Sequence, residues 1–266
     1  MPSPQPAFVL VHGGWHDHST WDKVVPILEA SGFTALTLDL PGAGGHAIEP
    51  ASLGRHPFDP DAFAAEPSPV AGLTQDARTR AVVTLVRDAA ALGGGQVVLV
   101  GHSAGGVTVS AVAEQIPERL AAVVYLSGFL APPGLFIGDP AAIGATRIHA
   151  GSSDEAYRAL LKESFYADVS DADFVRMAAR LHCDEPNDGA LAPSEVTSAR
   201  FGAVPRHYIR CTRDNAVPLT GQDHMIASVD AALGNRTTTH TLDSSHSPFL
   251  SQPDALARIL IAIAGT

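Results

Sequence analysis

Short apolar runs alternate with segments of helical period along most of the chain. Ala7–Val11 (AFVLV) is continuously hydrophobic, as a strand buried on both faces requires, and His12-Gly13-Gly14 breaks it. Residues 19–30 carry Trp21, Val24, Val25, Ile27 and Leu28 at near-helical spacing before Ser31-Gly32, which predicts a helix. A strand is expected at 34–40 (TALTLDL), then a Pro-, Gly- and Ala-rich stretch over 41–72 with no period, which reads as a long functional loop. A helix over 74–92 stops at Gly93-Gly94-Gly95, a strand follows at 96–100 (QVVLV), and a further helix runs to about Ile116. Leu120–Leu126 is again a buried strand. From 131 to 200 the pattern is helical without strand character, which returns at 205–211 and 237–242 before a last helix at Pro253–Ala264.

Buried strands separated by helices predict the α/β class, a mostly parallel sheet with helices on both faces. The strand-free stretch interrupts that rhythm, so 131–200 is expected to be a helical cap inserted into a core made of 1–130 and 201–266. At 266 residues, 45% of them hydrophobic, the chain is long enough for one substantial core. No apolar run reaches the roughly 20 residues of a spanning helix, and the first residues do not read as a signal peptide. The expectation is a soluble cytoplasmic protein. The formal charge of −11, without a Lys/Arg cluster, argues against nucleic-acid or anionic-membrane partners. Cys183 and Cys211 are expected as reduced, buried thiols. His12, His16 and His18 lie close together, and His16 and His18 are able to face one metal. Loop histidines lining a polar pocket are the commoner arrangement, so neither metal nor cofactor is expected.

Gly101-His102-Ser103-Ala104-Gly105 fits G-x-S-x-G and lies between a strand and a helix, as a nucleophile elbow must. The turn is tight enough that a Cβ two residues before or after the serine would collide with neighbouring chain. It lifts Ser103 to the carboxyl end of the sheet and to a helix N-terminus, where free N–H groups favour developing negative charge. Serine at its ordinary pKa is a poor nucleophile and needs a base, itself held by an acid. With this elbow the chain order is Ser, then Asp or Glu, then His. His246 in the loop after the last strand is the expected base. Asp214, directly after the penultimate strand, is the expected acid, and its rival Asp243 is too close to His246 along one loop to reach Nδ1. Two N–H groups must face the tetrahedral intermediate. Ala104 and, from the loop after the first strand, Gly14 are the expected donors.

Taken together, FVLVHGGWHDHSTWDKVVPILEASGFTALTLDLPG, GHSAGG, CTRD and SSHSPFLSQP resemble the α/β-hydrolases related to plant methylesterases and hydroxynitrile lyases, with their bacterial esterase relatives. The resemblance covers most of the chain and is weakest over 46–70 and 131–200. It implies the α/β-hydrolase fold. Some relatives carry the acid after the preceding strand, where this chain reads Leu126-Ser127-Gly128-Phe129, without a carboxylate. The lyases of the group carry Thr after the first-strand His and Lys after the catalytic His. Gly13 and Ser247 stand there, so the resemblance implies a cofactor-independent carboxylesterase acting on a small to medium, largely apolar ester. Two alternatives stay open: a lyase or cyclase using the same triad as an acid–base relay, and a non-catalytic ligand-binding protein on this scaffold.

Overall fold

The computed structural model describes residues 5–135, 147–149, 151–186 and 194–265. Its strands are β1 (Ala7–Val11), β2 (Ala35–Thr37), β3 (Val97–His102), β4 (Leu120–Leu126), β5 (Arg206–Cys211) and β6 (Thr238–Leu242). They form one parallel sheet in the order β2-β1-β3-β4-β5-β6. Strand order reverses between β1 and β3, so the loops leaving their carboxyl ends diverge and open a crevice, the usual ligand position in such sheets.

Alternate residues of the buried strands supply two hydrophobic layers. Phe8, Leu10, Val98, Val100, Val124 and Ile209 pack with Trp21 and Leu28 on one face, against helices α1 (Val25–Ala30) and α8 (Pro253–Ala264). Val9, Val11, Leu99, Val123 and Tyr125 face the other way, against α3 (Gln75–Leu92), α4 (Gly105–Gln115) and α7 (Leu219–Leu233). Full burial of such a side chain contributes about 1.5–3 kcal/mol. The central strands are therefore anchored from both sides, and their carboxyl-end loops start from fixed points.

Several elements differ from their sequence expectation. The helix expected over 19–30 is split into a 3-10 turn, His18–Trp21, and α1, because Asp17 caps the Ser19 N–H at 2.9 Å and Pro26 occupies the first turn of α1. Strand 34–40 shortens to β2. Past Thr37 the chain leaves the sheet, with Leu40 N–H donating to His12 Nε2 and Asp39 accepting from His18 and Gly45. The stretch over 41–72 contains α2 (Pro60–Ala65), capped by Asp59 with Pro60 at its first position, besides two 3-10 turns. Helix α7, which the apolar pattern did not announce, runs from behind Pro218 to Gly234 in the left-handed region. Between β4 and β5 the described residues hold α5 (Glu155–Phe165), α6 (Asp171–Ala178) and an isolated antiparallel bridge, Arg147 to Asp184, with a final 3-10 turn at Phe201–Ala203. Among the described residues no helix is long and apolar enough to cross a membrane.

Candidate active site

The elbow after β3 is built as its spacing demands. Ser103 has φ +49°, a left-handed conformation costing a non-glycine residue about 1–3 kcal/mol. Its backbone is pinned by Ser103 N–H to Leu126 O at 3.2 Å and by Gly106 and Phe129 N–H groups donating to Ser103 O at 3.0 and 2.9 Å. A Cβ on Gly101 would stand 2.8 Å from Val109 and one on Gly105 2.6 Å from His12 O. Both positions admit only glycine without rearrangement, so the two glycines of the motif are explained by close approach of backbone. Ala104 then leads into α4.

The loop after β6 carries His246, and the loop after β5 carries Asp214. Both are buried, and His246 Nδ1 donates to Asp214 Oδ2 at 2.7 Å. With that proton on Nδ1, the basic nitrogen of the neutral ring is Nε2. The other carboxylate oxygen accepts from the N–H groups of Ala216 and Val217, each at 2.8 Å. Ser127 Oγ donates to Asp214 Oδ2 from the loop after β4. Burial alone would raise the Asp214 carboxyl, but His246, Ser127 and the Val217 N–H outweigh it and hold the carboxyl below its ordinary range. Asp243 points outward instead, bonding Thr212 and Arg213. Asp214, and not Asp243, is thus the carboxylate on Nδ1. The elbow and the His246 loop are joined by His102, whose Nε2 donates to His246 O at 3.0 Å with the two rings 4.6 Å apart.

The loop after β1 lies against the elbow. A Cβ on Gly13 would come within 2.9 Å of Ser103 Cβ, and one on Gly14 within 3.8 Å of Ala104 Cβ. Neither the Gly14 nor the Ala104 N–H meets a hydrogen-bond acceptor among the described residues. His12 Nδ1 donates to Gly13 O at 2.8 Å and its Nε2 accepts from Leu40, a pattern that only the neutral ring satisfies. Burial pushes His12 and His16 down to about 4 and His102 well below its ordinary value, so all three imidazoles are neutral near pH 7. The histidines of this loop are thus engaged in hydrogen bonds. Asp17, His18 and Asp39 offer ligand atoms near one another, but each is already committed: His18 to Asp39 at 2.7 Å, Asp17 to Ser19 and Arg180.

Sequence reasoning assigned no role to Ser127, His102 or Glu185, and read Tyr166, with Tyr157, Phe165 and Phe174, as either internal packing or substrate contact. Ser127 marks itself only by φ +41°, and Glu185 is 8% exposed in an irregular segment with no motif. A separate cavity of about 800 Å³ lies between 58–68 and 147–157. There Phe58 and Phe63 pack tilted against the His149 ring, and Arg147 pairs with Asp184 at 2.5 Å. None of Ser103, Asp214 and His246 lines it.

A model of an alpha/beta hydrolase family matches residues 8–259. A putative chloroplastic methylesterase of Arabidopsis thaliana is 27% identical over 97% of this chain, which spans 63% of that protein's length. A pyrethroid hydrolase of Sphingobium wenxiniae is 26% identical, over 95% of this chain and 85% of its own. Among solved structures, a pyrethroid hydrolase from Sphingobium faniae superposes with a TM-score of 0.73 over 98% of both chains, at 23% identity.

Proposed function

Since the chain belongs to the alpha/beta hydrolase family, we propose that it is a serine carboxylesterase that cleaves a small to medium, largely apolar ester through an acyl-Ser103 intermediate. The observation that carries this reading is the buried 2.7 Å bond between His246 Nδ1 and Asp214, joined through His102 to the strained elbow that presents Ser103.

His246 Nε2 takes the Ser103 proton as Oγ attacks the ester carbonyl, and Asp214 holds the ring in the Nδ1–H tautomer and stabilises the imidazolium. The Gly14 and Ala104 N–H groups receive the charge on the carbonyl oxygen. His246 then protonates the leaving alcohol and activates the water that releases the acid. On this reading the described part of the segment between β4 and β5, including α5 and α6, supplies the cap beside the acyl group. Relatives named as a methylesterase and a pyrethroid hydrolase support an ester as substrate. Ser247, fully buried, stands where lyases of the resembling group carry lysine, which favours hydrolysis over cyanide release.

The test is a panel of p-nitrophenyl and methyl esters of increasing acyl size, with Ser103→Ala alongside. Turnover by the wild type and a loss of at least about a thousandfold in the variant is the expected result. A folded wild type inactive on every ester would overturn the reading.

A further inference from the structure

The Gly14–Trp15 segment is held from outside its own loop. His16 Nδ1 donates to Gly14 O at 2.6 Å, and His16 Nε2 accepts from the Tyr166 hydroxyl at 2.7 Å. Trp15 N–H donates to Glu185 Oε1 at 2.6 Å, while Trp15 O accepts from His182 N–H at 3.0 Å. Glu185 is backed in turn by His182 Nε2 at 2.8 Å and by Arg78 Nη1 at 2.7 Å. Trp15 sits at φ +60°, where a bulky residue stays only if its surroundings hold it. Tyr166, His182 and Glu185 all come from the segment between β4 and β5. The Glu185 side chain also reaches the oxyanion loop itself: a Cβ on Gly14 would lie 3.5 Å from Glu185 Cγ and 3.8 Å from Ala104 Cβ.

We propose that Glu185 is a positioning residue for catalysis: with His182 and the His16–Tyr166 pair it clamps the Gly14–Trp15 peptide, so that residues 166–185 set the aim of the Gly14 oxyanion donor. The inference rests on the reading of Gly14 as that donor. The clamp acts on both ends of the peptide that follows the Gly14 N–H, and His12 fixes Gly13 O, the carbonyl of the peptide that carries that N–H. A donor held on both sides needs no reorganisation when the tetrahedral intermediate forms. Arg78 balances the carboxylate charge, which leaves Glu185 ionised in a buried setting as the acceptor of the Trp15 N–H.

Three variants separate positioning from mere packing: Glu185→Ala, Glu185→Gln, which keeps an acceptor oxygen, and the double variant R78M/E185M, which removes acceptor and bare cation together should Glu185→Ala fail to fold. Each is read by ester kinetics, by affinity for a trifluoromethyl ketone that forms a tetrahedral adduct on serine, and by amide hydrogen exchange of residues 12–16. Loss of one oxyanion donor costs about 10²–10³ in rate, so a misaimed one is expected to cost about 10–100-fold in kcat with KM within about threefold. Ketone affinity should fall in parallel, Trp15 exchange should accelerate, and Glu185→Gln should recover most of each. A folded alanine or double variant that keeps wild-type kcat and ketone affinity overturns the proposal, as does unchanged Trp15 exchange. Absence of ester turnover in the wild type would instead sink the esterase reading, and the exchange measurement would still decide whether the clamp exists.

Discussion

Two loops meet at the candidate site and are specified in opposite ways. The elbow at 101–106 takes its shape from its own glycines and the two elements it joins: Gly101 and Gly105 allow strand and helix to close on each other, and Ser103 absorbs the strain. The loop at 12–18 takes its shape from side chains far away in sequence. Glu185 and Tyr166 lie 170 and 150 positions from the residues they hold. A local device depends on few residues outside it, whereas a distributed one is exposed to change in the distant segment between β4 and β5 that supplies its partners. The comparison teaches where the site is robust and where it can be tuned.

The sharpest way to break the elbow's partnership is Asp214→Asn, which leaves the shape but disturbs the Nδ1–H tautomer of His246. A fall of roughly 10⁴ in kcat is expected from steady-state kinetics, with near wild-type thermal stability. An effect under tenfold would mean that Asp214 is not the orienting acid.

Acid is the way to strain the other loop. His12 and His16 are neutral and buried, with folded pKa values of about 4 against an ordinary 6.5. Below pH 6.5 the unfolded chain takes up protons that the folded chain refuses. Stability therefore falls as pH drops from about 6.5 to about 4, by roughly 1.4 kcal/mol per unit for each histidine. Denaturant titrations at pH 7.5, 6 and 5 should show this fall, and a flat profile over that range would contradict the hydrogen-bonding scheme drawn for the loop. Glu185, held down to about 2, gives up its share only at lower pH.

Smaller effects sharpen the contrast. Gly105→Ala places a Cβ 2.6 Å from His12 O, where elbow and loop touch. A loss of about 1–3 kcal/mol in denaturant stability is expected, with lowered activity. Ser127→Ala removes one hydrogen bond from the Asp214 carboxylate. The expected cost is about tenfold in kcat, the rate equivalent of one such bond, with KM nearly unchanged.

The same division decides what the sequence discloses. Apolar runs bounded by glycine announced β1, β3, β4 and the elbow, because both the strand period and the glycine requirement are local. Asp214 and His246 were legible from their places after β5 and β6. Gly14 and Ala104 were chosen by position alone, as backbone N–H groups leave no side-chain signature. Asp59-Pro60 is a start signal for α2 that the surrounding Pro and Gly obscured. Helix α7 buries only Gln222, Ile226 and Val229, too thin a stripe to announce a helix. Ser127 and Glu185 had no signal at all, since a serine after a strand and an acid in an irregular segment look like ordinary polar surface until the fold buries them.

The central claim is that Ser103 is the nucleophile, and a p-nitrophenyl phosphonate tests it most directly. Intact-mass and peptide analysis should find one phosphonyl group per chain on Ser103, activity lost in proportion, and no label on Ser103→Ala. Labelling at another residue, or ester turnover that survives complete modification of Ser103, would contradict the account.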